Sequence, residues 1–317
     1  MKLPYAQDAL IEELLQVNPD TVIVLYGGSP VEMPWKDKAK AILWSYYAGM
    51  EGGTAIAEIL FGRVNPSGKL AETFICSEQQ CPAHTIGTFG REDVVEYKED
   101  VMVGYRYYDT EQTEVNFCFG HGLSYSTFAY ADLEITPAVP SELPLSGAMA
   151  IGAGQLEAEQ IDAEKGSACQ EEEDGFPIYR ISAVVKNTGT RAAKEVVQLY
   201  IAPNGVFVSG ESPLSGRNPV SSGAETPQAI ETDDAFIPEM SVSGTPARVS
   251  RPGHELRGFE KLKLQPGEEQ RVSFLLDKRA FSYYDETAAG FTVCPGTYEI
   301  QLGASSRDIR LRGEVEL

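Results

Sequence analysis

The 317-residue chain is poor in several residue types that carry chemistry. It has three histidines, two tryptophans and five cysteines. Cys76, Cys81, Cys118, Cys169 and Cys294 are few and odd in number, so they do not read as a disulfide framework and fit a reducing compartment. Cys76 and Cys81 have no Cys/His pair at ligand spacing to complete a zinc site, so no metal is expected. Positive charge is also scarce: 26 Lys and Arg face 47 Asp and Glu, a net charge of −21. Such a chain repels phosphate backbones and anionic lipid, which argues against nucleic-acid and membrane-surface partners. No apolar run reaches the roughly 18 residues that span a bilayer, and the first 20 residues hold no signal-peptide core. The cytoplasm is the expected location. Walker A, zincin and nucleophile-elbow motifs are missing as well.

What remains is globular, with 42% hydrophobic and 9% aromatic residues, enough for one large domain or two of ordinary size. Residues 3–74 read as alternating α and β. Leu10, Ile11, Leu14 and Leu15 recur at helical spacing. Thr21–Tyr26 and Ala41–Tyr46 are short apolar runs of the buried, parallel type. Glu51–Gly62 reads as a helix stopped by Gly62, and Leu70–Phe74 as a last strand. Residues 75–127 are rich in turns and aromatics, a pattern of functional or domain-wrapping segments. From 128 to 317, strand-like runs at Phe128–Ile135, Tyr179–Lys186, Glu195–Ala202, Gly258–Leu264, Arg271–Leu276, Thr297–Leu302 and Ile309–Leu317 alternate with Gly/Pro/Asn turns. Seven such strands predict an immunoglobulin-like sandwich. Two stretches interrupt it. Residues 138–175 hold nine acids against Lys165, and 204–250 hold six against Arg217 and Arg248. Together they account for twelve of the 21 excess negative charges and read as solvated insertions. A docking surface for a basic partner is their alternative reading.

Candidate chemistry is thin. Gly27-Gly28-Ser29-Pro30 follows a strand, but Pro30 removes a backbone donor and the loop lacks a P-loop's trailing Gly and Lys, so a tight turn is the plainer reading. His84, His121 and His254 have no serine or cysteine at a recognised spacing. His121, between two glycines, reads as structural rather than as a base. Glu96 and Glu99, in the aromatic segment, are the least generic carboxylates, though a solvated face suits both.

Several long motifs, in order, resemble the C-terminal half of glycoside hydrolase family 3, most closely its bacterial β-glucosidase branch. They are Val22–Trp35 (VIVLYGGSPVEMPW), Tyr47–Glu58, Leu60–Thr73 (LFGRVNPSGKLAET), Glu96–Asp109 (EYKEDVMVGYRYYD) and Phe117–Phe128 (FCFGHGLSYSTF). Val184–Tyr200, Glu255–Gly267 and Pro295–Arg310 continue the match. The resemblance implies a partial α/β sandwich over 1–74, an aromatic linker over 75–127 and a fibronectin type III-like domain over 128–317. It also implies a retaining glycosidase that needs no cofactor and uses two carboxyls roughly 5 Å apart. The family's nucleophile is a barrel aspartate. Its acid/base glutamate stands in a Glu-Gly-x-Asp-Arg motif before a Leu-Pro-x-x-Gln stretch. Here Leu3-Pro4-Tyr5-Ala6-Gln7 opens the sequence, so neither carboxyl is expected in this chain, and Glu12, Glu13, Glu51 and Glu58 are not substitutes.

The chain is therefore expected to be inactive alone and to need a β/α barrel in cis or in trans to meet a β-glucoside. Half of a split β-glucosidase or β-xylosidase, or a non-catalytic carbohydrate-associated module, are the alternatives. The only tryptophans, Trp35 and Trp44, fall outside the sandwich, which leaves it without an obvious sugar platform. Tyr105, Arg106, Tyr107, Tyr108 and Asp109 are the expected interdomain support. An exposed sheet edge at Val22–Leu25 and Ile42–Tyr47 is expected to make the chain associate.

Overall fold

A computed structural model describes residues 1–86, 89–90, 95, 97–139, 175–204, 251–285 and 288–317. Glu96 and nearly all of both acidic stretches lie outside the described residues. The first part is mixed α/β. Helix α1 (Gln7–Val17) buries Ile11 and Leu15, four residues apart on one face. Strands β1 (Val22–Leu25) and β2 (Ala41–Trp44) pair in parallel, with Val22 opposite Ala41 and Leu25 opposite Trp44. Helix α2 (Gly52–Leu60) follows and ends as expected at Gly62, which takes a left-handed φ of +69°. Trp35 is fully buried against α1 and β1, and its indole N–H donates to Asp8 Oδ1 at 2.9 Å.

The expected strand at Leu70–Phe74 is corrected. Only Phe74–Ile75 (β3) is extended, and it pairs antiparallel with β4 (Val115–Phe117) rather than joining β1 and β2. Leu70 is diverted by the turn after β4: its N–H donates to His121 O and its carbonyl accepts from Gly120 N–H, both at 2.8 Å. The aromatic segment is also more regular than its weak periodicity suggests. It contains α3 (Pro82–Thr85), whose first helical position is Pro82, and α4 (Tyr105–Thr110), entered through Gly104 at φ +60°.

The second part is a two-sheet sandwich with, among the described residues, the expected seven strands. One sheet runs β5 (Phe128–Ala138), β6 (Ile178–Asn187) and β9 (Glu269–Leu276), all antiparallel. The other runs β13 (Ile309–Glu316), β12 (Thr297–Gly303), β7 (Ala193–Asn204) and β8 (Glu255–Leu264). Between β9 and β12 stand a one-turn helix α5 (Lys278–Phe281) and the hairpin β10 (Tyr283–Asp285) with β11 (Gly290–Thr292). Alternate residues of the facing sheets meet in one core, including Ile181, Val185, Val197, Leu199, Leu262 and Ile300, all at most 2% exposed. Among the described residues no helix is long and apolar enough to cross a membrane.

Candidate functional site

The chemistry-bearing side chains gather where helix α4 and the turn after β4 meet the sandwich. Helix α4 has six residues, too short to hold itself by propensity. Its stability comes from both neighbours. On one side Tyr107 and Tyr108 are buried with Ile75 and pack against Cys81, Ile86 and Met102. On the other side Tyr105 stacks on Phe119 at 4.7 Å, and its hydroxyl accepts from Leu256 N–H at 2.8 Å. Arg307, beyond β12, reaches back to the helix end. Its Nη2 donates to Tyr108 O at 3.0 Å and Thr113 O at 2.9 Å. That places a cation at the C-terminal end of the helix dipole, on Tyr108 O, which also accepts from Thr113 N–H, and on Thr113 O just beyond the helix.

Asp109 is the hub. Its side chain is 8% exposed; Oδ1 accepts from Arg307 Nε at 2.6 Å and Oδ2 lies 3.3 Å from His254 Nε2. Burial pushes this carboxyl up, but His254 and the Arg307 guanidinium beside it, with the Ser306 hydroxyl nearby, together outweigh it and hold Asp109 below the usual carboxylate range. The His254 ring stacks on Tyr200 at 4.8 Å, and its Nδ1 lies 3.0 Å from Gln301 Oε1. Gln301 in turn donates to Glu299, which also pairs with Arg312. So α4, β8, β7, β12 and β13 share one partly buried polar chain.

A second anchor lies at the Gly120–Gly122 turn. Lys69 Nζ pairs with Glu195 on β7 at 3.2 Å and donates to Gly122 O at 3.0 Å. Tyr130 donates to Glu195 at 3.3 Å. Burial raises Glu195, while Lys69, the Tyr130 hydroxyl and the Val196 N–H work against that rise. The glycines flanking His121 are there for close approach. Gly120 sits at φ +75°, and a side chain on it would run into the Gln198 amide; one on Gly122 would run into Gly68 O. Gln198 Nε2 donates to Gly120 O at 3.2 Å and Ala304 O at 2.8 Å. His121 stacks on Phe117 at 5.1 Å. Burial lowers its affinity for a proton, and Lys69 lowers it further.

Of the five residues expected to support an interdomain contact, Tyr105, Arg106 and Asp109 turn toward the sandwich, and Tyr107 and Tyr108 turn toward β3 and α3. The sequence did not single out Lys69, Glu195, His254 or Arg307. His254 and Asp109 are 145 residues apart, beyond any local spacing rule. Each of the four lay inside a motif quoted above or next to one. Glu99 is half-buried, with one carboxylate oxygen lacking a hydrogen-bond partner among the described residues. Among the described residues no three metal-ligating side chains come together.

Residues 1–125 match the glycosyl hydrolase family 3 C-terminal domain, and residues 241–306 match a fibronectin type III-like domain. The whole chain is 38% identical to thermostable β-glucosidase B of Acetivibrio thermocellus, covering 32% of that protein. Over 98% of its length it is 33% identical to β-glucosidase BoGH3A of Bacteroides ovatus, again covering 32%. Among solved structures, the GH3 β-glucosidase of Bifidobacterium adolescentis superposes with a TM-score of 0.71 at 32% identity, matching all of this chain and 36% of that one. The β-glucosidase of Kluyveromyces marxianus, solved with glucose, gives 0.69 at 32% identity, matching all of this chain and 29% of that one. The chain thus spans about a third of the length of the relatives it matches.

Proposed function

From the chain's place in glycosyl hydrolase family 3, as a C-terminal domain followed by a fibronectin type III-like domain, we propose that it is the scaffold part of a retaining β-glucosidase. In this reading the nucleophile and the acid/base come from a β/α barrel and its following segment, in the same polypeptide or a separate one. The 317 residues hold the α/β part in place and supply neither carboxyl. The observation that carries the reading is the double anchor. Lys69–Glu195 and Asp109–Arg307 ion pairs, with His254 beside Asp109, tie the α/β part and the aromatic segment to the sandwich through partly buried polar contacts. Such contacts hold a geometry more than they add stability. The substrate class is a terminal β-D-glucoside, as the names of the relatives suggest, with a β-xyloside as the alternative. The cytoplasm fits the four described thiols, all unpaired.

The test is steady-state hydrolysis of an aryl β-glucoside by the purified chain. Proton transfer alone contributes roughly 10²–10⁴-fold in such reactions. The reading expects turnover below that of a full-length relative by more than this factor. A comparable rate rejects it.

A further inference from the structure

Near the start of β8, guanidinium groups outnumber the carboxylate they share. Glu255 Oε2 accepts from Arg257 Nη2 at 2.8 Å and from Arg251 Nη2 at 3.3 Å. Arg106 Nε, on α4, stands 4.0 Å from Glu255 Oε1, outside hydrogen-bond range. Arg251 is turned inward: Nη1 donates to Phe281 O, and the group lies over the rings of Tyr283 and Tyr298. Arg106 and Arg257 alone therefore exceed Glu255 two to one. Arg257 is 14% exposed, and its Nε has no hydrogen-bond partner among the described residues. Burial holds this guanidinium below its ordinary range even with Glu255 beside it. The side chain of Arg106 is 40% exposed, so the cluster opens to solvent at α4.

We propose that Arg106 and Arg257 form an anion site between α4 and β8 that takes a small oxyanion, a carboxylate or phosphate group. The guanidinium fork matches either group: Arg106, exposed and only loosely paired at Nε, offers the accessible donor, while Arg257, whose buried Nε has no partner among the described residues, adds positive charge beside it. Glu255 holds the two arginines in place and competes with the ligand. The site does not depend on the glycosidase reading, since it needs no residue outside this chain.

The probes are inorganic phosphate and malonate, titrated calorimetrically into the purified chain with ionic strength held constant by sodium chloride. Saturable binding with a Kd of about 1 mM or tighter is expected for at least one of them. The probe that binds identifies the class. Arg106→Gln weakens it at least about tenfold. Glu255→Gln removes the competing charge and tightens it, an effect that loss of structure does not mimic. No saturable heat from either probe, or equal affinity in wild type and both variants, overturns the site.

Discussion

At the residue scale, the account rests on two ionic anchors that can be broken one side chain at a time. Asp109→Asn removes a charged acceptor from Arg307 and His254. A loss of about 2–3 kcal/mol in urea unfolding at neutral pH is expected. The pH dependence follows from the sign of the shift. The folded carboxyl lies below its unfolded value, so its stabilisation is present above about pH 4 and fades as pH falls through the lower folded value. The gap between wild type and Asp109→Asn therefore narrows toward pH 3; a constant gap contradicts the assignment. Lys69→Met leaves Glu195 buried without its cation, costing about 3–4 kcal/mol. Because burial raises Glu195, that cost is greatest at neutral pH, where the group must ionise; it shrinks as pH falls through the raised folded value and is relieved below the ordinary glutamate value of about 4.3. In Lys69→Met/Glu195→Gln at least half of the loss returns, as a thermodynamic cycle reads directly. Little of this was legible in the sequence. Lys69 sits in a motif, but its partner is more than 120 residues away and acids are abundant, so spacing had nothing to select on.

At the element scale, the seven sandwich strands and helices α1 and α2 were readable, because each carries its period and its stop signal in consecutive residues. Leu70–Phe74 misled because its strand-like composition is used differently: Leu70 pairs with the Gly120–His121 turn. Helix α4 escaped notice because six residues bound by tyrosine packing on two sides show no one-sided stripe. Helix α1 shows the reverse, a second apolar stripe with nothing on it among the described residues. Leu10, Leu14 and Val17 are exposed beside the buried Ile11 and Leu15. Strands β1 and β2 form a parallel pair flanked by no further strand among the described residues, while parallel sheets are ordinarily covered on both faces. The purified chain is therefore expected to self-associate through this region at high concentration. Leu10→Lys/Leu14→Gln shifts it toward monomer in sedimentation velocity with little change in melting, since both side chains already face solvent. A wild-type monomer at every concentration counts against this.

At the scale of the whole molecule, the recognisable family came from long ordered motifs, while the way the parts hold each other came only from three dimensions. The polar junction joins α4 to β7, β8, β12 and β13, and Lys69 joins the α/β part to β7. These contacts make the sandwich a clamp on the α/β part in our reading, and they predict one cooperative unfolding transition across both. Two separated transitions in calorimetry contradict a clamp. The most direct measurement is aryl β-glucoside turnover by the chain alone and after mixing with a polypeptide spanning the remaining two thirds of the Acetivibrio thermocellus relative. The account predicts no turnover from either part alone and recovered turnover from the mixture. Turnover by the 317 residues alone, or a mixture that assembles and stays inactive, contradicts it.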